Sequence, residues 1–174
     1  MMEDLIIYSS TDGQTKKICE RIKDHLSPYN KFKLIPLNEV VDENLKFCEK
    51  IIIGASIRYG RHSKKVENFV IKNKKILEEK KTAFFSVNVV ARKYEKSTPE
   101  TNPYVIKFLD KTKWRPNKVA VFAGKVDYPN YNFISKNVIK FIMMITKGPT
   151  NTANSYEFTN WEMVKKFALE LKLL

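Results

Sequence analysis

The chain has little of what most metal and dinucleotide sites are built from: two cysteines, two histidines and five glycines in 174 residues. Cys19 and Cys48 stand far apart, and His25 and His62 are the only histidines, so no zinc site is expected. Each cysteine reads as a small buried apolar residue of a reducing compartment. No apolar run approaches the 18 or so residues of a membrane span. Glu3 and Asp4 interrupt the start, against a signal peptide. Acidic side chains are also short: 32 Lys and Arg face 19 Asp and Glu, a net charge of +13. Such a surface attracts nucleic acid, anionic lipid or acidic small molecules. For nucleic acid the support is charge alone, with no zinc finger and no aromatic-rich RRM motif, so no nucleic-acid partner is expected. The length fits one domain over 1–174 with one sizeable core.

Against that background one segment stands out. An apolar run, Leu5-Ile6-Ile7-Tyr8, leads into Ser9-Ser10-Thr11-Asp12-Gly13-Gln14-Thr15 and then into a helical pattern. Strand, hydroxyl-rich loop and helix start together suit a phosphate: converging N–H groups, side-chain hydroxyls and the positive end of a helix dipole. With one glycine and no lysine the loop is neither a Walker A loop nor a G-x-G-x-x-G turn. An ordinary N-cap turn is the alternative. Position favours phosphate, because the loop follows the first strand.

Further along, apolar runs at 4–8, 32–37, 50–54, 82–87 and 118–123 predict strands buried on both faces. They alternate with helices predicted over 14–26, 64–79, 103–112 and 160–172. This alternation gives a doubly wound α/β fold: a five-stranded parallel sheet of order 2-1-3-4-5, helices on both faces, and an extra segment before the last helix. Ligands of such sheets sit beyond the carboxyl ends of the strands. Three segments fall there: the loop after the first strand, Gly54-Ala55-Ser56-Ile57-Arg58-Tyr59-Gly60 after the third, and Ser86 to Pro103 after the fourth. The last exceeds the usual loop length and carries Arg92, Lys93 and Lys96.

The loop Ser10, Thr11, Gly13, Thr15 resembles the FMN phosphate loop of flavodoxins. Further strings narrow the likeness: Gly54 to Gly60, Ser86-Val87-Asn88 with Ala91-Arg92-Lys93, Trp114-Arg115-Pro116, Thr98-Pro99, Thr101-Asn102, Lys107-Phe108-Leu109 and Ala123-Gly124. Together they resemble the flavodoxin-like, quinone-dependent protoporphyrinogen IX dehydrogenases of bacteria, from about residue 5 to residue 172. That resemblance implies bound FMN, protoporphyrinogen IX as substrate, a quinone acceptor (menaquinone or ubiquinone), and a cytoplasmic protein held peripherally on the inner face of the cell membrane. Carried over, it gives the phosphate role to Ser10, Thr11, Asp12, Gly13, Gln14 and Thr15. The ring role falls on Ser56, Ile57, Arg58, Tyr59 and Gly60, and on Ser86, Val87, Asn88, Val89, Ala91 and Arg92. Arg58, Arg92 and Lys93 are candidates to pair with the substrate's two propionates. Arg61-His62-Ser63 is about one residue shorter than the family pattern. No general base is legible, and His62 reads as a surface residue. The basic charge argues against a flavodoxin electron carrier, which with an NAD(P)H-quinone reductase is the competing reading.

A segment of about 125–158 precedes the last helix. It holds Tyr128-Pro129-Asn130-Tyr131 and a helix predicted over 134–147. At 100° per residue Lys136, Lys140 and Lys147 share one side, and Ile134, Val138, Phe141, Ile142 and Ile145 the other, with Met143 on the polar side. Such a helix suits a membrane interface or packs its apolar side on protein; a quinone acceptor favours the membrane.

Overall fold

In the computed structural model, which describes residues 3–174, the first strand β1 (Asp4–Ser9) is followed by α1 (Gln14–Leu26), β2 (Phe32–Pro36), the short α2 (Asp42–Lys46) and β3 (Lys50–Arg58). A two-residue strand β4 (Arg61–His62) comes next, then α3 (Lys64–Glu79), β5 (Lys81–Asn88), α4 (Pro103–Thr112) and β6 (Lys118–Ala123). The chain ends with β7 (Lys125–Asp127), α5 (Phe133–Ile145), β8 (Ser155–Glu157) and α6 (Trp161–Lys172).

The five parallel strands run in the order β2-β1-β3-β5-β6, which is the predicted 2-1-3-4-5 path. β4 is an addition, antiparallel to the end of β3, and β7 and β8 form a separate antiparallel ribbon. The runs of Ile, Val and Phe that suggested two-sided burial are two-sided: Ile7, Ile53 and Phe84 face one core, Ile6, Ile52 and Phe85 the other. The first core is covered by α3 and α4 through Val66, Val70, Leu77, Val105 and Phe108. The second is covered by α1 and α6 through Ile18, Ile22, Phe167 and Leu171. A small third cluster, Val126, Tyr128 and Met143, lies under the insert. Cys19 and Cys48 are free and buried, and burial raises both thiol pKa values.

Local signals set the helix bounds. Asn102 accepts from Tyr104 N and Val105 N, and Pro103 occupies the first turn of α4, where its missing N–H costs nothing. Ser63 caps α3 and Asn160 caps α6 in the same way.

β3 runs four residues past its predicted end. Gly54 pairs with Tyr8 and Phe85, Ala55 with Ser9 and Ser86, and Ser56 with Val87. The reason is a ring: a Cβ on residue 54 would stand inside 3.0 Å of three Phe85 ring atoms. Glycine here marks a close approach within a strand, not a turn.

Candidate functional site

The loop after β1 is built to leave amides open. Gly13, at φ 85°, precedes α1 in the left-handed region that favours glycine, and nothing lies within 4 Å of its absent Cβ. Its N–H donates to Ser10 Oγ at 3.1 Å, tightening the loop. Among the described residues no side chain caps α1. Its first-turn N–H groups are therefore left open in the same loop that carries the hydroxyls of Ser10, Thr11 and Thr15, a donor set that fits a phosphate. Gln14 is turned elsewhere: its Nε2 donates to Thr159 Oγ1 at 2.8 Å, tying the loop to the segment before α6. Asp12 points to the neighbouring wall, pairing with Arg58 at 3.1 Å.

That wall is a hairpin. Ile57 pairs with His62 and Arg58 with Arg61. Between them Tyr59 (φ 50°) and Gly60 (φ 77°) both take positive φ, as a two-residue type I′ turn requires. Tyr59 is held left-handed at a cost glycine would not incur, a strain that belongs to functional sites more than to scaffolds. Its ring is 54% exposed, with the Arg58 guanidinium 5.3 Å from its centroid.

The opposite wall is the end of β5 and the two 3-10 turns after it, Val89–Arg92 and Tyr94–Lys96. The long segment after β5 is thus ordered. Between the walls a cleft is lined by Asp12, Ile57 to Gly60, Val89, Val90, Tyr104, Lys125, Val126 and Tyr131, and by Ser135, Ile139 and Ile142 of α5. Four predicted ring residues lie behind this lining: Ser86, Val87, Asn88 and Ala91 are buried. Asn88 Oδ1 accepts from Ala91 N at 3.0 Å and so shapes the turn.

α5 is fastened at both ends. Ser135 Oγ meets Tyr59 Oη at 3.0 Å and accepts from Arg58 Nη2 at 3.2 Å. Arg92 donates through Nη2 to Thr146 O and Oγ1 at 2.9 and 2.8 Å, and through Nη1 to Val89 O at 3.0 Å. Two of the three candidate propionate partners are therefore committed to protein groups, and only Lys93 carries no such bond among the described residues. The sidedness of α5 also differs from expectation. Its buried residues are Ser135 and Met143, the latter assigned to the polar side. Phe133, Ile134, Phe141, Met144 and Ile145 are 58–82% exposed.

His62 corrects the sequence reading outright. It is 3% exposed, and burial lowers its pKa to about 3, so its imidazole is neutral. The contributions of Tyr104, Tyr131 and Ser135 to the cleft had no sequence signal beyond the aromatic Tyr128 to Tyr131 string in the insert.

Comparison with known proteins places this arrangement. The flavodoxin domain family matches residues 5–153. The chain is 38% identical over 171 residues to protoporphyrinogen IX dehydrogenase (quinone) of Escherichia coli K12, covering 98% of this chain and 94% of that protein. It is 40% identical over 173 residues to the enzyme of the same name from Leishmania major, covering 98% of this chain and 74% of that one. Among solved structures, an archaeal flavodoxin aligns with 99% of this chain and 97% of its own at a TM-score of 0.55 and 16% identity. Flavodoxin 1 of Bacillus cereus does so at 0.53 and 14%, over 97% and 96% of the two chains.

Proposed function

The chain belongs to the flavodoxin-domain family and, within it, to the quinone-linked protoporphyrinogen IX dehydrogenases, and on that premise we propose that it oxidises protoporphyrinogen IX to protoporphyrin IX and delivers the electrons to a membrane quinone. The observation that carries the cofactor is the uncapped start of α1 beside Ser10, Thr11, Gly13 and Thr15, a neutral donor set that suits the phosphate of FMN. When bound, FMN supplies the two-electron redox chemistry at its ring. The chain's own residues bind and orient. The first-turn amides hold the phosphate; Tyr59 and the 86–92 segment form the walls for a flat ring.

Proton removal falls to water. Among the described residues Asp12 is the sole carboxylate lining the cleft, and Arg58 engages it. His62 is too buried, and too weakly basic, to serve. Lys93 carries no side-chain bond to protein among the described residues and is the one of the three candidates left uncommitted for a propionate, although it is Arg58 that lines the cleft.

The exposed face of α5 supports peripheral contact with the cytoplasmic membrane surface. Phe133, Ile134, Phe141, Met144 and Ile145 face solvent there, with Lys136 and Lys140 on the same helix and Lys147 just past its end. No described helix is long and apolar enough to cross a bilayer.

The test is anaerobic. FMN-loaded protein is mixed with protoporphyrinogen IX, and menaquinone-bearing anionic vesicles follow. Loss of the visible flavin absorbance, its recovery on vesicle addition and the appearance of protoporphyrin fluorescence are expected. Flavin that stays oxidised with porphyrinogen but is reduced by NADPH would move the protein to the quinone reductases.

A further inference from the structure

His62 joins a buried polar network that the reaction itself does not call on. Its ring lies among aromatic neighbours, 5.5 Å from Phe84 and 4.9 Å from Phe108 between centroids. Its Nε2 is 3.0 Å from Ser86 Oγ, which also accepts from Asn88 Nδ2 at 3.1 Å. Asn88 Oδ1 accepts from Ala91 N and, at 3.2 Å, from Asn102 Nδ2. Asn102 in turn caps α4 and donates to Lys96 O. All four side chains are at most 3% exposed. Polar groups at that depth are costly to leave unpaired, so the network holds its members in one arrangement.

The topology gives the network its meaning. His62 sits on the return strand of the hairpin that presents Arg58 and Tyr59. Ser86 and Asn88 begin the opposite wall of the cleft. Among the described residues, His62 to Ser86 is the one side-chain hydrogen bond joining Ile57–His62 to Ser86–Arg92. We propose that His62 is a positioning residue that sets the spacing of the two walls receiving the flavin ring, acting through Ser86 and Asn88. The inference rests on the FMN reading above. Ser86 is fully buried and accepts from Asn88; with its own proton given to His62 Nε2, the imidazole is in the tautomer that carries its proton on Nδ1, and in the other tautomer Nε2–H donates to the second lone pair of Ser86 Oγ. Burial among Phe84 and Phe108 keeps the ring neutral in either tautomer.

The experiment titrates apo-protein with FMN and with riboflavin, read by flavin fluorescence, and records the visible circular dichroism of the bound flavin. Variants are His62→Leu, Ser86→Ala and His62→Gln. The first two are expected to weaken both ligands about tenfold, the worth of one lost buried hydrogen bond, and to change the flavin dichroism. The ratio of FMN to riboflavin affinity should stay at the wild-type value, because the phosphate loop is untouched. His62→Gln, whose amide can reach Ser86, should recover ring affinity while losing thermal stability with the aromatic contacts. Where His62→Leu does not fold, Ser86→Ala carries the test. A folded Ser86→Ala protein that binds riboflavin as tightly as wild type, with the same dichroism, overturns the proposal alone. A wild-type protein that binds neither flavin overturns the cofactor reading and this proposal with it.

Discussion

Replacing Gly54 by alanine tests whether the central strand is shaped by the ring beside it. Gly54 lies in β3 at ordinary extended geometry, so alanine is conformationally acceptable there and would restrict the unfolded chain, a gain of about 0.4–1 kcal/mol. Packing decides the other way. The new methyl would meet Phe85 Cζ, Cε1 and Cε2 inside 3.0 Å. Phe85 is fully buried and braced by Phe122 and Phe167 at 5.4 and 6.1 Å, so its ring has nowhere to go. Overpacking of this kind costs about 1–3 kcal/mol. The net expectation is a loss of about 1–2 kcal/mol, or about 2–8 °C in Tm for a chain of this size. Phe85→Leu alone should also destabilise, by about 1–2 kcal/mol. The double variant should be more stable than the two losses summed, because leucine vacates the space alanine needs. Urea unfolding of the four proteins, all without flavin, measures this. An unchanged or raised Tm for Gly54→Ala, or strict additivity in the cycle, would refute the reasoning.

Two further outcomes follow from the same geometry. His62 titrates near 6.5 when unfolded and at about 3 when folded. Between those values the unfolded chain binds a proton that the native one does not, so its contribution to stability falls as pH drops. By pH 4.5 the loss is about 2–3 kcal/mol. In urea unfolding at pH 7 and pH 4.5 the stability gap between wild type and His62→Gln should narrow by that amount; a constant gap would contradict a buried neutral ring. Arg92→Ala removes three hydrogen bonds, two of them to Thr146. Amide hydrogen exchange is expected to rise across 142–148 while the sheet stays protected, and unchanged exchange would show that the arginine does not fasten α5.

The sequence carried the sheet because both of its faces are covered. Continuous Ile, Val and Phe runs have few other solutions, and the helix bounds 14–26, 64–79 and 103–112 came out as read, fixed by Pro28, Ser63 and Asn102. What stayed hidden depends on contacts distant in the chain. Gly54-Ala55-Ser56 looks like a loop until Phe85 explains the glycine. β4, β7 and β8 are too short for any periodicity to show. The phosphate loop was legible as one contiguous string, whereas the cleft borrows Tyr104, Tyr131 and Ser135 from three other elements. α5 misled because a helical wheel assumes that apolar means inward, and here the protein covers Ser135 and Met143 and leaves Ile134, Phe141 and Ile145 outside. His62 misled for the converse reason: flanked by Arg61 and Ser63, it sits in a strand whose side chains alternate between water and core.

The clasped position of α5 has a consequence for distance. One side of the helix lines the cleft and the other presents Phe133, Ile134 and Phe141 to the outside. A helix with its side chains is about 10–12 Å across. Whatever seats on the outer side is therefore held one helix diameter from the cleft, and the helix works as a spacer of fixed thickness. A quinone ring that remained at the depth of the outer side chains would stay that far away. To come nearer it has to pass the helix's edge.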